Sequence, residues 1–494
     1  MIGLLPVLII ATSLAPALVT FFLPEERAGW RNGLNLGGAV LKLALVAFML
    51  VEVADGAIYD TRFELAPGLA LVLRVDALSL LFVTLSAVLW LLTTIYAIAY
   101  FEGARDLSRF FGFFSLCVAA TTGVAFSGTL VTFFVFYELL TLSTWPLVVH
   151  KGDAASLSAG RRYLAYTMPG SAALLAAIVW IESAVGPIAF AEPAALDAVD
   201  ETTLRLVFAL FVAGIGVKAA LVPLHGWLPA AMAAPAPVSA LLHAVAVVKA
   251  GAFGLVRVVH DVYGIARVEA LGLATPLALL AAFTIVYGSA RALQQVDIKR
   301  RLAFSTVSQV SYIVLGIALA GPLATIGGLV HLVHQGLMKI TLFFCAGIFA
   351  ERARVHRIDE LAGIGPRMPW TASAFSIGAL GMIGVPPIAG FVSKWYLGIG
   401  GLQAGHPWVV GVLVASSLLN ASYFLPLLYR MWFLPAPETL PARGPDGRAL
   451  ERPLGLVGPA VVTALAAIAV GFLAASPISP LAWTTLIVER EYAP

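Results

Sequence analysis

A chain of 494 residues in which 60% are hydrophobic and only 12% charged lacks the polar surface of a soluble domain of any class. A formal net charge of +3 offers no basis for a nucleic-acid partner. The two cysteines, Cys117 and Cys345, stand alone in apolar stretches without ligand-like spacing and read as small core residues.

Apolar stretches of about 20 residues, enough to cross a hydrocarbon core of roughly 30 Å, recur from end to end. The first run is long enough to span and has no basic segment before it, so it reads as the first span and not as a leader. Hydropathy and turn punctuation predict fourteen spans: 2–23, 33–54, 76–100, 110–127, 129–149, 162–184, 205–223, 236–258, 270–291, 301–320, 323–350, 370–399, 408–432 and 454–478. The expected fold is an all-α, polytopic membrane protein. The gaps, the longest at about 182–205 and 433–453, leave no room for a soluble domain.

Nineteen basic residues fall in the loops after spans 1, 3, 5, 9, 11 and 13, against six in the opposite loops and the C-terminus. The positive-inside bias places the odd loops in the cytoplasm and both termini outside it. Five basic residues remain for the spans: Lys42, Lys218, Lys249, Lys339 and Lys394. All are lysine, although the chain has 23 arginines and seven lysines. Arginine stays charged at any working pH, whereas a buried lysine can gain and lose a proton.

A charge at mid-bilayer costs at least about 2.5–3.5 kcal/mol, so such residues face the bundle interior and are usually functional. Glu138, in FYELLTLSTWP, is the one acid in mid-span, and Lys218 is its expected partner. An acid that moves nearer or farther would load or release a proton on the amine; the competing reading is a static pair that fixes packing. Pro223, five residues after Lys218, should break span 7, and Pro386 and Pro387 should break span 12 seven residues before Lys394. Spans 7 and 12 are each fourth in a set of five, spans 4–8 and 9–13. Broken helices at matching positions point to two repeats, inverted because each set holds an odd number of helices. The expected divisions are residues 1–109 for spans 1–3, 110–260 and 261–433 for the repeats, and 434–494 for a cytoplasmic loop with the last helix.

Span 8 carries His243 and Lys249; span 11 carries His331, His334 and Lys339, the two histidines at i, i+3 on one face. Histidine titrates near neutrality, and a row of His and Lys can pass protons where water fills the gaps. Each histidine has the alternative of a packing role, and two histidines without further ligands make no metal site. Ser305, Ser308, Ser311 and Tyr312 offer polar groups on span 10, either to hydrate a path or to pack helices. Lys42 lies outside both repeats, where it could snorkel toward the inner surface. No phosphate-binding loop, dinucleotide fingerprint or cysteine set for a cluster is present, so neither cofactor nor metal is expected.

The segments FYELLTLSTWPLV, VKAALVPLHGWLPAAMAAPAPVSALLHAVAVVKAGAFGL, DIKRRLAFSTVSQVSY, HQGLMKITLFF and PPIAGFVSKW resemble the antiporter-like family shared by membrane subunits of respiratory complex I, Mrp-type sodium/proton antiporters and membrane-bound hydrogenases. The resemblance covers about spans 3–13. It implies that Glu138 and Lys218 form a modulating pair, that Lys249 passes the proton on, that Lys394 ends the half-path, and that His243, His334 and Lys339 lie on a central axis. It also implies partners: other membrane subunits of an antiporter or respiratory complex, within a lipid bilayer. The overall look is nearest to the D subunit of Mrp antiporters, with protons exchanged for sodium or potassium; the rival readings are a proton-pumping arm of a redox complex and a non-conducting assembly subunit.

Overall fold

The computed structural model describes residues 2–66, 69–190, 195–438 and 440–492. Helices occupy each position at which the hydropathy predicts a span. The first half holds α1 (Leu5–Phe21), α2 (Ala28–Ala54), α3 (Ala77–Tyr100), α4 (Leu107–Ala125), α5 (Leu130–Val148), α6 (Ala154–Val185) and α7 (Glu201–Lys218). Next come α8a (Ala236–Ala244), α8b (Val247–Arg257), α9 (Ala274–Leu293), α10 (Ile298–Ala318) and α11 (Pro322–Ala353). The chain closes with α12a (Pro369–Ile383), α12b (Ala389–Gln403), α13 (Trp408–Phe433), α14 (Leu454–Phe472) and α15 (Pro480–Glu491). Among the described residues, eleven helical segments are long and apolar enough to cross a membrane. The expected spans outside that set are α1 with 17 residues, α7 with its three charged residues, and α12, divided into halves of 15 residues each.

The most apolar stretches of α8, α10 and α11 are buried along their whole length, whereas those of α2, α13 and α14 are buried over only about a third of theirs. An apolar helix with an exposed face is what a bilayer-facing position produces; an apolar helix buried all round is central. α11 is the hub, in contact with α3, α8a, α10, α12a, α12b, α14 and α15. Around it, α7 packs on α6 and α8b, and α13 packs on α9, α12a and α12b.

Three helices are interrupted. α7 ends at Lys218 itself, five residues before Pro223, where the sequence placed its end. Residues 219–226 then run as turns, with Ala220 left-handed at φ +55°. The freed backbone groups are satisfied from outside the helix: Trp227 Nε1 donates to the Val217 carbonyl (2.7 Å) and Val222 N donates to Thr284 Oγ1 (3.1 Å). α12 breaks at residues 384–388, around the expected proline pair, with Gly384 at φ +99°. A side chain at residue 384 would be strained there and would press on the Lys394 stem at 3.0 Å. The third interruption was not expected: α8 divides at Val245 and Ala246, with no proline in the break, and so separates His243 from Lys249.

Two features add to the all-helical expectation. Strands β1 (Tyr59–Ala66) and β2 (Leu69–Val75) form an antiparallel hairpin in the register Tyr59↔Val75 to Ala66↔Leu69. β2 is tied to the end of α4 by Arg74 N donating to Phe126 O (2.7 Å) and Gly128 N to Val72 O (2.8 Å). The segment reads Tyr-Asp-Thr-Arg-Phe-Glu-Leu-Ala, an alternation too short for a window tuned to spans. α15, capped by Ser479, follows α14.

Candidate functional site

Each of the five lysines assigned to span interiors is buried: Lys42, Lys249 and Lys339 at 0%, Lys218 at 1% and Lys394 at 9% exposure. None forms an ion pair within 4 Å among the described residues; their ammonium groups are held by carbonyl and hydroxyl oxygens. Lys218 donates to the main-chain carbonyl of Tyr137 on α5, its nitrogen 3.1 Å from the centre of that tyrosine ring. Glu138, the next residue, is half-buried and accepts a hydrogen bond from Ser171 on α6. The expected Glu138–Lys218 pair is therefore not closed: the acid is turned to a serine and the amine to the neighbouring carbonyl, on adjacent residues of one helix. Gly251 permits this packing, since a Cβ there would stand 2.2 Å from Ala219 N, so only glycine lets α8b lie against the end of α7.

Lys249, on α8b, donates to the carbonyl of Leu332 on α11 (2.8 Å), which lies between His331 and His334 in the sequence. His331 Nδ1 is 2.8 Å from Ser393 Oγ, the residue before Lys394. His243, on the far side of the α8 break, lies against the Phe343 ring at 4.4 Å, one turn from Lys339. Lys339 donates to Ser305 Oγ (2.6 Å) and the Leu302 carbonyl (3.2 Å) on α10. Lys394 reaches back across the α12 break to the last carbonyls of α12a, Met382 O (3.1 Å) and Ile383 O (2.8 Å), and to Ser417 Oγ (2.9 Å).

Lys339 and Lys394 are joined by residues that the sequence pattern does not single out. The Tyr423 hydroxyl is 3.0 Å from Ser305 Oγ and donates to Asn420 Oδ1 (2.5 Å); Asn420 Nδ2 donates to Met382 O (2.9 Å), the oxygen that also holds Lys394. With Ser416 and Ser417 these residues form a polar stripe along α13 at helical spacing; the stretch VASSLLNASYF shows it, but in isolation it looks like ordinary span packing.

Several fully buried side chains beside this row have no protein partner among the described residues for one or both polar atoms: His243, Gln309, Tyr312, His334, Gln335 and the Nε2 of His331. Buried polar atoms are paired in the great majority of cases, with protein or with water. Their concentration on α8, α10 and α11, around Lys249 and Lys339, marks a segment whose polar atoms need water to be satisfied. A relay of amines and imidazoles needs the same.

Other basic residues are buried as well, Lys42 and Arg257 among them. Lys42 does not snorkel: it donates to Thr122 Oγ1 (2.6 Å) and Ser13 Oγ (3.1 Å) inside the α1, α2 and α4 bundle. Arg257, counted from sequence as an outer-loop residue, ends α8b with 2% exposure and pairs with Asp76 (2.7 Å) and Asp261 (3.0 Å). Burial works against ionisation of Asp76, but Arg257 and the hydrogen bonds from Ser79 hold its carboxyl below the usual range. Glu491 of α15, beside them, is pushed up to about 8 by burial and the charge of Asp76.

The family model described as NADH:quinone oxidoreductase/Mrp antiporter, transmembrane, matches residues 127–420. The chain belongs to this family: it is an antiporter-like, proton-translocating membrane subunit of the Mrp or complex I type. NADH-quinone oxidoreductase subunit N of Desulforudis audaxviator is 35% identical, with 94% of this chain and 95% of that one covered. The A/B component of a probable K(+)/H(+) antiporter from Rhizobium meliloti is 31% identical over 97% of this chain and 48% of its own length. Among solved structures, a chain of the Mrp complex from Dietzia sp. superposes with TM-score 0.85 at 25% identity, covering 99% of this chain and 98% of that one. A chain of respiratory complex I from Thermus thermophilus shares the fold at TM-score 0.74 and 23% identity, covering 96% and 98%.

Proposed function

We propose that protons cross this protein along Glu138, Lys218, Lys249, Lys339 and Lys394, with His243, His331 and His334 as intermediate stations, in a multisubunit antiporter that exchanges protons for sodium or potassium. The observation that carries this reading is the placement of Lys218 and Lys394: each buried ammonium lies where a membrane helix is broken, and the two other buried lysines of the repeats lie on the helices between them. The C-terminal carbonyls of a helix carry the negative end of its dipole, worth about 0.3–2 kcal/mol to a nearby cation, so the α12 break, whose last carbonyls hold Lys394, favours a charged amine. Moving one elementary charge across 100 mV takes about 2.3 kcal/mol, comparable to a shift of under two pKa units. Modest rearrangement of Glu138 or of the water around the histidines is enough to drive such a relay. In this reading the chain crosses the membrane fourteen times with both termini outside the cytoplasm, residues 110–260 and 261–433 are inverted repeats, and other membrane subunits are its partners.

The 35% identity to a subunit N over nearly the whole of both chains favours a second reading, in which redox chemistry in partner subunits drives the same path. The purified native complex separates the two: flavin and iron–sulfur subunits indicate the second, their absence together with sodium- or potassium-dependent proton flux the first. The path is tested in vesicles carrying the assembled complex. Lys218→Ala and Glu138→Ala should each abolish proton movement while assembly, read by co-purification, persists; normal flux in both would remove these residues from the path.

A further inference from the structure

A cavity rimmed by charged side chains lies off the lysine row. It is a space of about 770 Å³ between the N-terminal turns of α6 and α10, the C-terminal end of α9 and the turns after α7. Arg162, Arg291 and Arg300 line it together with His225 and Ser158, against a single acid, Asp297. Asp297 is engaged, capping α10 by accepting from Arg300 N (2.8 Å). Arg291 donates to Gln294 Oε1 (2.8 Å), and its guanidinium lies 5.5 Å from the Phe304 ring; none of the three arginines makes an ion pair among the described residues.

Three guanidinium groups around one cavity raise the local potential and repel hydronium and metal cations. The mouth is therefore unsuited to admit the ions that the lysine row would carry, and suited to an anion that accepts several N–H donors, a phosphate above all. The surroundings choose among phosphates. On α9, Leu279, Phe283, Val286 and Leu293 are exposed at i, i+4, i+7 and i+14, one apolar face leading away from the mouth for about 21 Å at 1.5 Å per residue. That exceeds half of a hydrocarbon core of roughly 30 Å. Leu157 of α6 and Val296 are exposed near the rim. A free phosphate has no use for this face, whereas acyl chains do. The loop bias puts the cavity on the cytoplasmic side, where basic pockets between membrane helices face anionic headgroups.

We propose that this cavity binds the phosphate headgroup of an anionic phospholipid, with its acyl chains on the exposed face of α9. The site is independent of which cation the complex exchanges. The test uses the whole complex, delipidated in detergent and then equilibrated with vesicles of either phosphatidylglycerol or phosphatidylcholine, with retained lipid read by mass spectrometry. The wild type should retain phosphatidylglycerol selectively. The variant Arg162→Gln/Arg291→Gln/Arg300→Gln should lose that selectivity, at roughly fivefold per arginine and on the order of 100-fold in all. Melting temperature, with assembly read by co-purification, shows that the variant complex is intact; Leu279→Ser/Phe283→Ser, which leaves the arginines in place, should weaken phosphatidylglycerol retention separately. Equal retention of the two lipids by the wild type, unchanged selectivity in the arginine variant, or displacement of the lipid by inorganic phosphate would each overturn the proposal.

Discussion

Lys218 and Lys394 are the same device built in two ways. In α7 the lysine is the last residue of the helix and the break follows it; in α12 it follows the break, and its amine folds back onto the carbonyls that close the first half-helix. Both ammonium groups lie where a helix has been interrupted among buried neighbours. Their company differs. Lys218 has a carboxylate on the residue next to its own acceptor, held off by Ser171, whereas Lys394 has only neutral oxygens around it, from Met382, Ile383 and Ser417. The first site can be changed by moving a charge, the second only by moving hydrogen bonds or water. A relay with an electrostatic switch at one end and a neutral hydrogen-bonded network at the other would have a sense of direction.

The largest effect that sharpens this contrast is expected from Glu138→Gln. If the carboxylate is the switch, proton flux should fall by about 5- to 150-fold, the usual range of a site-to-site coupling, with the complex still assembled; flux in vesicles at wild-type level would reduce the pair to packing. Tyr423→Phe removes the hydroxyl between Ser305 and Asn420 without changing shape. One net hydrogen bond is worth about 0.5–1.5 kcal/mol, so a two- to tenfold slowing is expected, in flux but not in melting temperature; an equal loss in both would make the network structural. Ser417→Ala should cost about twofold or less, since two carbonyls still hold Lys394. A larger loss there than from Glu138→Gln would invert the comparison.

A smaller effect concerns the rim outside the path. Glu491 titrates at about 8 in the folded chain against 4.5 unperturbed, so between these values the folded state holds a proton that the unfolded state has released. Stability from this group is present at low pH and is lost as pH rises toward about 8. Hydrogen exchange in residues 480–491, corrected for the intrinsic rate, should show more frequent opening at pH 9 than at pH 6, and Glu491→Gln should remove the difference.

Hydropathy made the membrane helices legible, and the scarcity of lysine made five of its positions conspicuous. What stayed hidden depended on tertiary contacts. The α8 break carries no proline, so no local signal separates it from a continuous helix. Arg257 is balanced by Asp76 from 181 residues away, a pairing no window contains. Asn420 and Tyr423 look like isolated polar residues until Ser305 and Met382 O are placed opposite them. Pro223 marks a break in the sequence five residues beyond the true end of α7, because the chain already leaves the helix at Ala219 and turns left-handed at Ala220.

The oxygens that hold Lys218 and Lys249, and two of the three that hold Lys394, belong to the main chain of Tyr137, Leu332, Met382 and Ile383. No exchange of one encoded side chain for another deletes a peptide C=O, so alanine scanning will pass over these ligands and credit the path to the lysines alone. Natural variation is blind to them in the same way: residues 332, 382 and 383 can change in identity while their carbonyls persist. Only chemistry that alters the peptide link itself, such as an amide-to-ester replacement, would expose what these four positions do.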